Sequence, residues 1–375
     1  MVIFHVCQYK SRHSNGVQSA VWELAKAHSK LGHDVYILSL GRVPTPGEID
    51  YCCQHGVRLM GVAGRIPRFG ALLSIISDAK NYPQVIFHLH SVFIFWHSLL
   101  AILLKMTGVC YFISSHGNLA ARELRRKHLR KWIYLHILEK RCLSLATGCI
   151  CASENEFKRV NCLLKQPDHL VVVGNGLDDS QNSTQQRPKA SYNSKSGKGL
   201  FLGKSDVINK GIDRMFQFAA AFPGGVDFRV VNHNQLELLE EFEALVTQYE
   251  SNPKVRVLDP VYGMAKFAAF EEASFYLHLA RWEVFGMGIL EAAMHSLPLI
   301  ISSDCDIANE AKNAGAAYVV ERYDDEGLQE LTRWVKNDEA VKLMGLRARE
   351  WAVSRYGSAT IAEQTLRFYM KNRVE

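Results

Sequence analysis

Residues 275–302 read FYLHLARWEVFGMGILEAAMHSLPLIIS, and this stretch decides the fold class. It contains an apolar run at 275–279, a turn with two glycines, a helical segment at 288–295 and a second apolar run at 299–302. Apolar runs without alternating polar residues predict strands buried on both faces, and helices between such strands predict parallel pairing. The stretch is therefore a strand–helix–strand unit of a doubly wound α/β sheet.

The same alternation extends through most of the chain. Predicted strands lie at 2–7, 35–40, 85–90, 111–115, 148–152, 170–173, 199–202, 228–231 and 255–258. Predicted helices lie at 17–31, 211–222, 236–249, 264–273, 329–335, 340–353 and 358–371. We expect an α/β protein with Rossmann-like sheets.

The alternation is interrupted once, at residues 179–198, where Ser, Gln, Asn, Thr, Pro, Lys and Gly leave almost nothing to bury. A length of 375 residues also suggests two domains. We therefore predict a first domain over 1–178, a linker or loop over 179–198, and a second domain over 199–356. Two doubly wound domains facing each other would leave a central cleft at the carboxyl ends of both sheets, where ligands bind in such folds.

Composition narrows the class of protein. A hydrophobic fraction of 48% and a charged fraction of 22% are those of a globular protein, and the net charge of +6 is mild. Nine cysteines without CxxC spacing fit reduced thiols better than disulfides or a zinc site. The first residues read as a buried strand rather than a signal peptide, and the apolar run at 92–104 is too short to span a membrane. We expect a cytoplasmic location.

Two nucleotide-binding motifs are absent or incomplete. The first strand is followed by Ser14-Asn15-Gly16-Val17, which holds one glycine, so the dinucleotide fingerprint is missing. The order from Gly199 to Ser205 is a P-loop one residue short, and that loop depends on its spacing. Asp304-x-Asp306 is more often a pair of surface aspartates than a metal site, and no metal is expected.

What remains suits a diphosphate with a sugar attached. Gly286 and Gly288 precede a helix, whose positive end attracts anions to free backbone N–H groups. Lys204 ends a predicted strand and Lys210 opens the next helix, so both can neutralise a diphosphate, although a single lysine at either place is more often a solvated surface charge.

Glu283 and Glu291 flank the glycines, and a carboxylate accepts hydrogen bonds from two vicinal hydroxyls. For Glu291 alone, stabilisation of the helix dipole is an equally good explanation.

With these residues, the sequence resembles a known family. The E-x7-E pattern from Glu283 to Glu291 is similar to the signature of retaining GT-B glycosyltransferases of family four. Further matches occur in order along the chain: Asn15-Gly16-Val17-Gln18, Leu31-Gly32-His33-Asp34-Val35, His88-Leu89-His90-Ser91, Ser115-His116-Gly117, Asn175-Gly176-Leu177-Asp178, Gly203-Lys204 and Lys210-Gly211. The resemblance covers nearly the whole chain and implies a GT-B architecture, in which a C-terminal helix, here 357–375, crosses back onto the first, acceptor-binding domain.

The resemblance also implies roles for the matched residues. The residues implied in catalysis are His116 beside the reacting sugar, Glu283 on the transferred sugar, and Lys204 and Lys210 on the diphosphate. The residues implied in donor binding are Gly16, Phe285, Gly286, Met287, Gly288, Leu290 and Glu291, the last on the ribose hydroxyls. Retention would then proceed by departure and attack on one face of the sugar, with lysines in place of a metal, so neither a cofactor nor a metal is expected.

Three departures from the family pattern bear on the donor. Lys204 replaces the usual arginine and loses bidentate phosphate geometry. Residues 230–234 lack the family's GxG, and Ser296 stands where a glycine usually precedes the proline.

Acceptor binding in this fold belongs to the first domain, where basic residues cluster in one predicted helix. They are Arg122, Arg125, Arg126, Lys127, Arg130 and Lys131, with Trp132 and Tyr134 next to them. This composition fits an anionic membrane surface and an ordinary solvated helix equally well.

The expected function is transfer of a hexose from a nucleotide sugar, with UDP as the first choice of carrier, to a glycan or polyprenyl-linked glycan in exopolysaccharide, capsule or O-antigen synthesis. The alternatives are a sugar-nucleotide epimerase, a phosphorylase, or a non-catalytic nucleotide-sugar-binding protein. No nucleic-acid partner is expected.

Overall fold

The computed structural model describes residues 1–9, 16–63, 69–120, 128–178, 197–231 and 236–373. These residues form two compact units, one of Met1–Asp178 with Ser358–Glu375 and the other of Asp179–Gly357. Each unit is a parallel sheet between layers of helices.

The first unit has a seven-stranded sheet. Its strands are β1 Val2–Cys7, β2 Asp34–Leu40, β3 Val57–Val62, β4 Val85–His90, β5 Tyr111–Ser114, β6 Gly148–Cys151 and β7 Leu170–Val172. Its helices are α1 Gly16–Lys30, α2 Pro46–Gln54, α3 Phe69–Ala79, α4 Phe95–Met106, α5 His128–Tyr134, α6 Lys140–Leu145 and α7 Glu154–Leu164. A π-helical turn at Leu135–Glu139 joins α5 to α6.

The strand order is β3-β2-β1-β4-β5-β6-β7, with every adjacent pair parallel. Strands β1, β5 and β6 are buried along their whole length, as continuous apolar runs predict. The order reverses between β1 and β4, and ligands of doubly wound folds bind where the order reverses, at the carboxyl ends of the strands.

The second unit has a six-stranded sheet. Its strands are β8 Gly199–Lys204, β9 Val226–Val231, β10 Val255–Leu258, β11 Phe275–His278, β12 Leu299–Ser302 and β13 Ala317–Val320. Its helices are α8 Val207–Lys210, α9 Ile212–Ala221, α10 Leu236–Tyr249, α11 Gly263–Glu272, α12 Met287–Met294, α13 Ala308–Asn313, α14 Asp325–Val335 and α15 Asp338–Tyr356.

The strand order is β10-β9-β8-β11-β12-β13, again all parallel, so the point of reversal lies between β8 and β11. Strand β11 and helix α12 belong to the strand–helix–strand unit at 275–302, and the apolar residues of β11 are completely buried. Both sheets therefore have the doubly wound topology that the sequence predicts.

The last helix, α16 Ser358–Asn372, belongs to the first unit. It packs against α1, and the Tyr369 hydroxyl lies 2.7 Å from Nδ1 of His88. Phe368 packs so closely on Gly148 that a Cβ there would lie 2.7 Å from its ring. The second unit is thus inserted between two parts of the first.

Two details differ from the sequence prediction. The helix predicted at 211–222 is two helices, α8 and α9, separated at Gly211, whose φ of +64° is a left-handed conformation that favours glycine. Lys210 therefore ends a helix instead of opening one. Strands β3 and β13 were not predicted, because both lie at sheet edges and have half-exposed, interrupted apolar patterns.

Candidate active site

The carboxyl ends of β8 and β11 are where the second unit's strand order reverses. Lys204 is the last residue of β8 and His278 is the last residue of β11. The chain then runs from β11 through Glu283 and Gly286 into α12. Most of the residues implied in donor binding thus lie on segments that leave this edge of the sheet.

Lys210 is positioned by the break between α8 and α9. Asp206 caps α8 by accepting a hydrogen bond from the Asn209 amide. At Gly211 the backbone passes so close to Leu279 that a Cβ would lie 2.0 Å from the Leu279 carbonyl oxygen. Glycine is therefore required there, and the close approach carries Lys210 to the end of β11.

Lys210 and Glu283 form a charged pair. The Lys210 ammonium donates to Oε2 of Glu283 at 2.5 Å, and the side chains keep 26% and 17% of their exposure. Burial by itself would raise the pKa of Glu283, but Lys210 and then His278 outweigh it and hold that pKa well below its usual value. For Lys210, burial opposes the charged form, but the attraction of Glu283 prevails and raises the pKa. Both groups are therefore charged at neutral pH.

The loop that carries Glu283 is fixed by its backbone. Glu283 forms a parallel bridge with Cys305, and its carbonyl accepts a hydrogen bond from the Asp306 amide at 2.8 Å. The carboxylate also lies 3.3 Å from Nε2 of His278, which is 3% exposed. In the sequence His278 looked like one more residue of a buried strand, and nothing in its local pattern signalled this contact.

Helix α12 begins at the glycine turn. Gly286 has φ +73°, and a Cβ there would lie 2.7 Å from Ile289 and 3.1 Å from Glu283. Met287 and Gly288 form the first turn of α12, and the leading N–H groups of a helix have no partner within it, which makes them suited to an anion. The geometry of this turn is therefore compatible with a diphosphate.

Phe285 and Leu290, two of the residues implied in donor binding, have buried side chains. The Phe285 side chain is buried against the Tyr356 ring, with centroids 5.0 Å apart. Leu290 is 1% exposed, and its amide donates to the Gly286 carbonyl. The Leu290 side chain thus lies in the core, and its implied role in donor binding stays a prediction.

Glu291 is also paired with a lysine. The Lys266 ammonium, from α11, lies 2.6 Å from the Glu291 carboxylate, and the two side chains keep 33% and 18% of their exposure. Nothing in the local sequence around Lys266 signalled this contact. Both carboxylates of the E-x7-E motif are thus ion-paired, and a ligand that uses them has to share them with Lys210 and Lys266 or displace these lysines.

In the first unit, Gly16 begins α1, and His116 follows β5 with φ +48°. The loop around His116 is held by Glu156, which is 1% exposed and which no sequence motif signalled. The Ser115 hydroxyl and the Gly117 amide donate to one Glu156 oxygen at 2.6 and 2.5 Å, and the Ala152 amide donates to the other at 2.7 Å. The left-handed conformation of His116 is maintained by these bonds.

His116 is the first of four histidines joined in a row. Its Nε2 lies 2.9 Å from Nδ1 of His90, whose Nε2 lies 3.0 Å from Nδ1 of His5. Nε2 of His5 lies 3.1 Å from Nδ1 of His28. Desolvation lowers the pKa of all four rings, so the row is a chain of N–H···N bonds between neutral imidazoles.

Two of these histidines, His5 and His90, form with His88 the one group of three side chains within the described parts of the chain that could hold a metal ion. Nitrogens of His5, His88 and His90 lie within 4.8 Å of one another. Both ring nitrogens of each already have partners, since His88 bonds to Tyr369 and Ser114 at 2.7 Å each. A metal would have to displace these bonds. It would also bring two positive charges into a site whose ring partners are neutral.

The basic cluster is described only in part. Arg122, Arg125, Arg126 and Lys127 lie outside the described residues. Arg130 is exposed and Lys131 is half-buried, with its ammonium 5.5 Å from the Phe93 ring.

Next to Arg130 and Lys131, the structure exposes four large apolar side chains: Leu129 (62%), Trp132 (57%), Ile133 (42%) and Ile137 (71%). Their helical spacing places them along one face. In the described parts of the chain, the helices are too short or too polar to cross a membrane.

The chain has two doubly wound units, which is the architecture of GT-B glycosyltransferases. Its second unit carries a glycine turn and two lysine–carboxylate pairs near the point where the strand order reverses, as expected for this class. Family models match along the chain: Glycosyltransferase Family 4 over residues 14–181 and Glycosyl transferases group 1 over 182–351. The chain belongs to glycosyltransferase family four.

A curated relative supports this membership. The GDP-mannose:cellobiosyl-diphosphopolyprenol alpha-mannosyltransferase of Xanthomonas campestris is 24% identical over 335 residues, which are 86% of this chain and 84% of the relative.

Solved structures show the same fold. Sucrose-phosphate synthase from Thermosynechococcus elongatus superposes with a TM-score of 0.76 at 16% identity, covering 99% of this chain and 98% of that one. The Anabaena protein HepE, in complex with UDP and glucose, superposes with a TM-score of 0.73 at 14% identity, covering 98% and 99%.

Proposed function

We propose that this glycosyltransferase transfers a hexose, with retention of anomeric configuration and without a metal, from a nucleoside diphosphate sugar to a glycan or polyprenyl-linked glycan. The observation that carries the proposal is the Lys210–Glu283 contact of 2.5 Å beside the glycine turn of α12. It brings together a cation for the diphosphate and a carboxylate for the sugar.

The donor's three parts have matching groups. The first amides of α12 and the ammonium groups of Lys204 and Lys210 suit the diphosphate, since helix N-termini and lysines both bind phosphates. Glu283 suits hydroxyls of the transferred sugar and Glu291 those of the ribose. Lys266 then moves off Glu291 or shares it with the ribose.

Catalysis in this proposal is electrostatic. The bond to the sugar breaks as negative charge develops on the leaving diphosphate, and fixed cations and amides stabilise that charge more in the transition state than in the ground state. Because Lys210 and Lys204 supply positive charge, the reaction needs no divalent cation. The acceptor hydroxyl attacks the face that the diphosphate leaves.

The relatives guide the choice of donor. The Xanthomonas enzyme is named for GDP-mannose, and it matches in sequence over most of the chain. The Anabaena structures hold UDP or UDP-glucose, but their sequence identity of 14–16% to this chain supports a shared fold only. We therefore place GDP-mannose beside the UDP-sugars that we expect from the sequence. Both family models describe glycosyltransferases, which does not favour an epimerase or a non-catalytic protein.

Calorimetric titration tests the donor site. GDP-mannose, UDP-glucose and ADP-glucose are titrated into the purified chain, and one of them is expected to bind. Glu291→Gln should weaken that binding about 10- to 100-fold, because it removes a charged hydrogen-bond acceptor. Glu321→Gln is the matched control, since Glu321 forms an exposed pair with Lys312. Absence of binding by all three donors refutes the proposal.

Retention is tested separately. With a bound donor identified, the anomeric configuration of the new glycosidic bond is read by NMR. A product bond of inverted configuration contradicts the single-face mechanism, whatever the donor.

We also propose that helix α5 and the π-helical turn rest on an anionic membrane surface. The apolar face formed by Leu129, Trp132, Ile133 and Ile137 lies beside exposed Arg130, and such amphipathic helices lie in the membrane interface. This arrangement brings a polyprenyl-linked acceptor within reach of the first unit.

Vesicle flotation tests the membrane surface. The chain should float with vesicles containing anionic lipid at low salt, and the double variant Trp132→Ser with Ile137→Ser should float less. A double variant of the exposed Leu343 and Leu346 to serine, in the second unit, is the control. The proposal is contradicted if the wild type and both double variants float equally, or if the wild type does not float with the vesicles.

A further inference from the structure

The donor site contains a buried histidine with one unused nitrogen. His278 lies at the end of β11, 3% exposed, and its Nε2 is 3.3 Å from Oε2 of Glu283. Its Nδ1 is buried and has no hydrogen-bond partner in the described parts of the chain. Lys210 donates to the same Glu283 oxygen, so one carboxylate oxygen has two nitrogen partners.

The surroundings of His278 contain few charges. Glu283 and Lys210 are the charged groups that face it, and the rings of Tyr276 and Phe201 lie 6.1 and 5.7 Å away. Cys305 lies beside Glu283, and burial raises the pKa of its thiol well above the usual value, so it stays neutral. Burial lowers the pKa of His278, Glu283 raises it and Lys210 lowers it further, with a net decrease. In the free protein the ring is therefore neutral.

The proposed function gives Lys210 two tasks that compete. In the free chain its charge neutralises Glu283, whereas in the donor complex it faces the doubly negative diphosphate. A carboxylate with little solvent contact is costly to leave without a positive partner. Protonation of His278 becomes more favourable at the same time. Lys210 repels a proton on the ring less once the charge of its ammonium group is shared with phosphate.

We propose that His278 takes up a proton when the donor diphosphate binds and becomes the cation that keeps Glu283 ionised and in place. The proton comes from solvent and adds to the imidazole, and no covalent bond forms or breaks in the ligand. His278 is thus a positioning residue that acts through Glu283. This inference rests on the proposed function, because it requires Lys210 to serve the diphosphate.

Proton uptake makes donor binding depend on pH. By linkage, uptake of up to one proton weakens binding by up to about tenfold for each unit that the pH rises. A histidine with only a packing role moves no proton on binding, so proton uptake distinguishes the two roles.

Calorimetry in several buffers measures this uptake. GDP, UDP and GDP-mannose are titrated at pH 7.0 in PIPES, imidazole and Tris, whose ionisation enthalpies differ, and the slope of the apparent enthalpy gives the protons bound. The wild type is expected to take up 0.5 to 1 proton more than His278→Gln, on the order of one linked group. The terminal phosphates of GDP and UDP can also exchange protons on binding. This contribution is the same for both variants and cancels in the difference between them, and GDP-mannose has no such phosphate.

Two variants and one control complete the design. His278→Gln keeps a group that can donate to Glu283 but cannot gain a proton, so it should bind without the extra uptake. Glu283→Gln should also lose the uptake, because no carboxylate remains to be neutralised. His295→Gln, at the other end of α12 and 3.1 Å from Glu271, should behave as the wild type.

The outcomes separate the two proposals. Binding with equal proton uptake in wild type and His278→Gln overturns the role of His278 and leaves the proposed function standing. Failure of wild type to bind any of the three nucleotides overturns the proposed function and this inference with it. If His278→Gln does not fold, loss of uptake in Glu283→Gln supports the inference and retention of uptake there refutes it.

Discussion

Acid should destabilise the first unit through its buried histidines. Six of them have a lowered pKa: His5, His28, His88 and His90 well below the usual value, and His97 and His116 at about 4. Desolvation is the largest cause for each. They stay neutral in the folded chain but bind protons in the unfolded chain below about pH 6.5, so stability falls as the pH falls.

The magnitude follows from linkage. Between pH 7.5 and 5.5 each such histidine costs about 1.4 kcal/mol, or about 8 kcal/mol for six. Burial also raises the pKa of Glu23 and of Glu139, and both carboxyl groups act in the opposite direction. Glu139, whose pKa is raised to about 7, offsets about 2 kcal/mol of the loss over the same interval. The net loss of about 6 kcal/mol is a large part of the stability of a typical domain. For a unit of this size it lowers the midpoint of thermal unfolding by more than about 10 °C.

Urea unfolding followed by circular dichroism from pH 7.5 to 5.5 measures this effect. His28→Leu removes one of the six and should reduce the pH dependence by about 1.4 kcal/mol over the interval. His136→Gln, at an exposed position, should leave it unchanged. A wild-type change below about 1 kcal/mol, or an equal effect of the two substitutions, refutes the reasoning.

Three further predictions concern the donor half. Lys210→Ala should lower kcat by about 100-fold or more, the scale of losing one preorganised charge-stabilising donor, while Lys312→Ala, from an exposed pair, should not. Gly286→Ala should cost about 1–3 kcal/mol in urea unfolding, because alanine is strained at φ +73° and meets Ile289, and a cost near zero contradicts this. Millimolar EDTA should leave initial rates unchanged, and a loss that Mg²⁺ or Mn²⁺ restores contradicts metal independence.

The fold could be predicted from the sequence where the pattern was local. Continuous apolar runs such as Val2–Cys7 and Phe275–His278 can be buried only inside a layered sheet, so parallel pairing followed. The edge strand Val57–Val62 alternates buried and exposed residues and carries Arg58 and a glycine, which hid it. The break at Gly211 was hidden too, since the approach of the Leu279 carbonyl requires it and that residue is far along the chain.

The residues of the candidate site also fall into two groups, those that the local sequence reveals and those that it does not. The glycine turn, the two carboxylates and Lys210 could be found because their residue types and spacing have a chemical meaning by themselves. Lys266, Glu156 and His278 could not, because what they contact is set by the packing of separate elements. Glu156, for example, is 39 residues from the Gly117 amide that it accepts from, and its own segment looks like an ordinary helix start.

The assignment of helix α16 to the first unit has a consequence for synthesis on the ribosome. Tyr369, fully buried against His88, is translated after the whole second unit. At 5–20 residues per second, the nascent first unit waits roughly 10 to 40 s for this helix. During that time the face of its sheet beneath the helix is open, and the second unit, contiguous in the chain, can finish folding. The unit that leaves the ribosome first is therefore completed last, and its histidine-lined face stays uncovered until α16 has been translated.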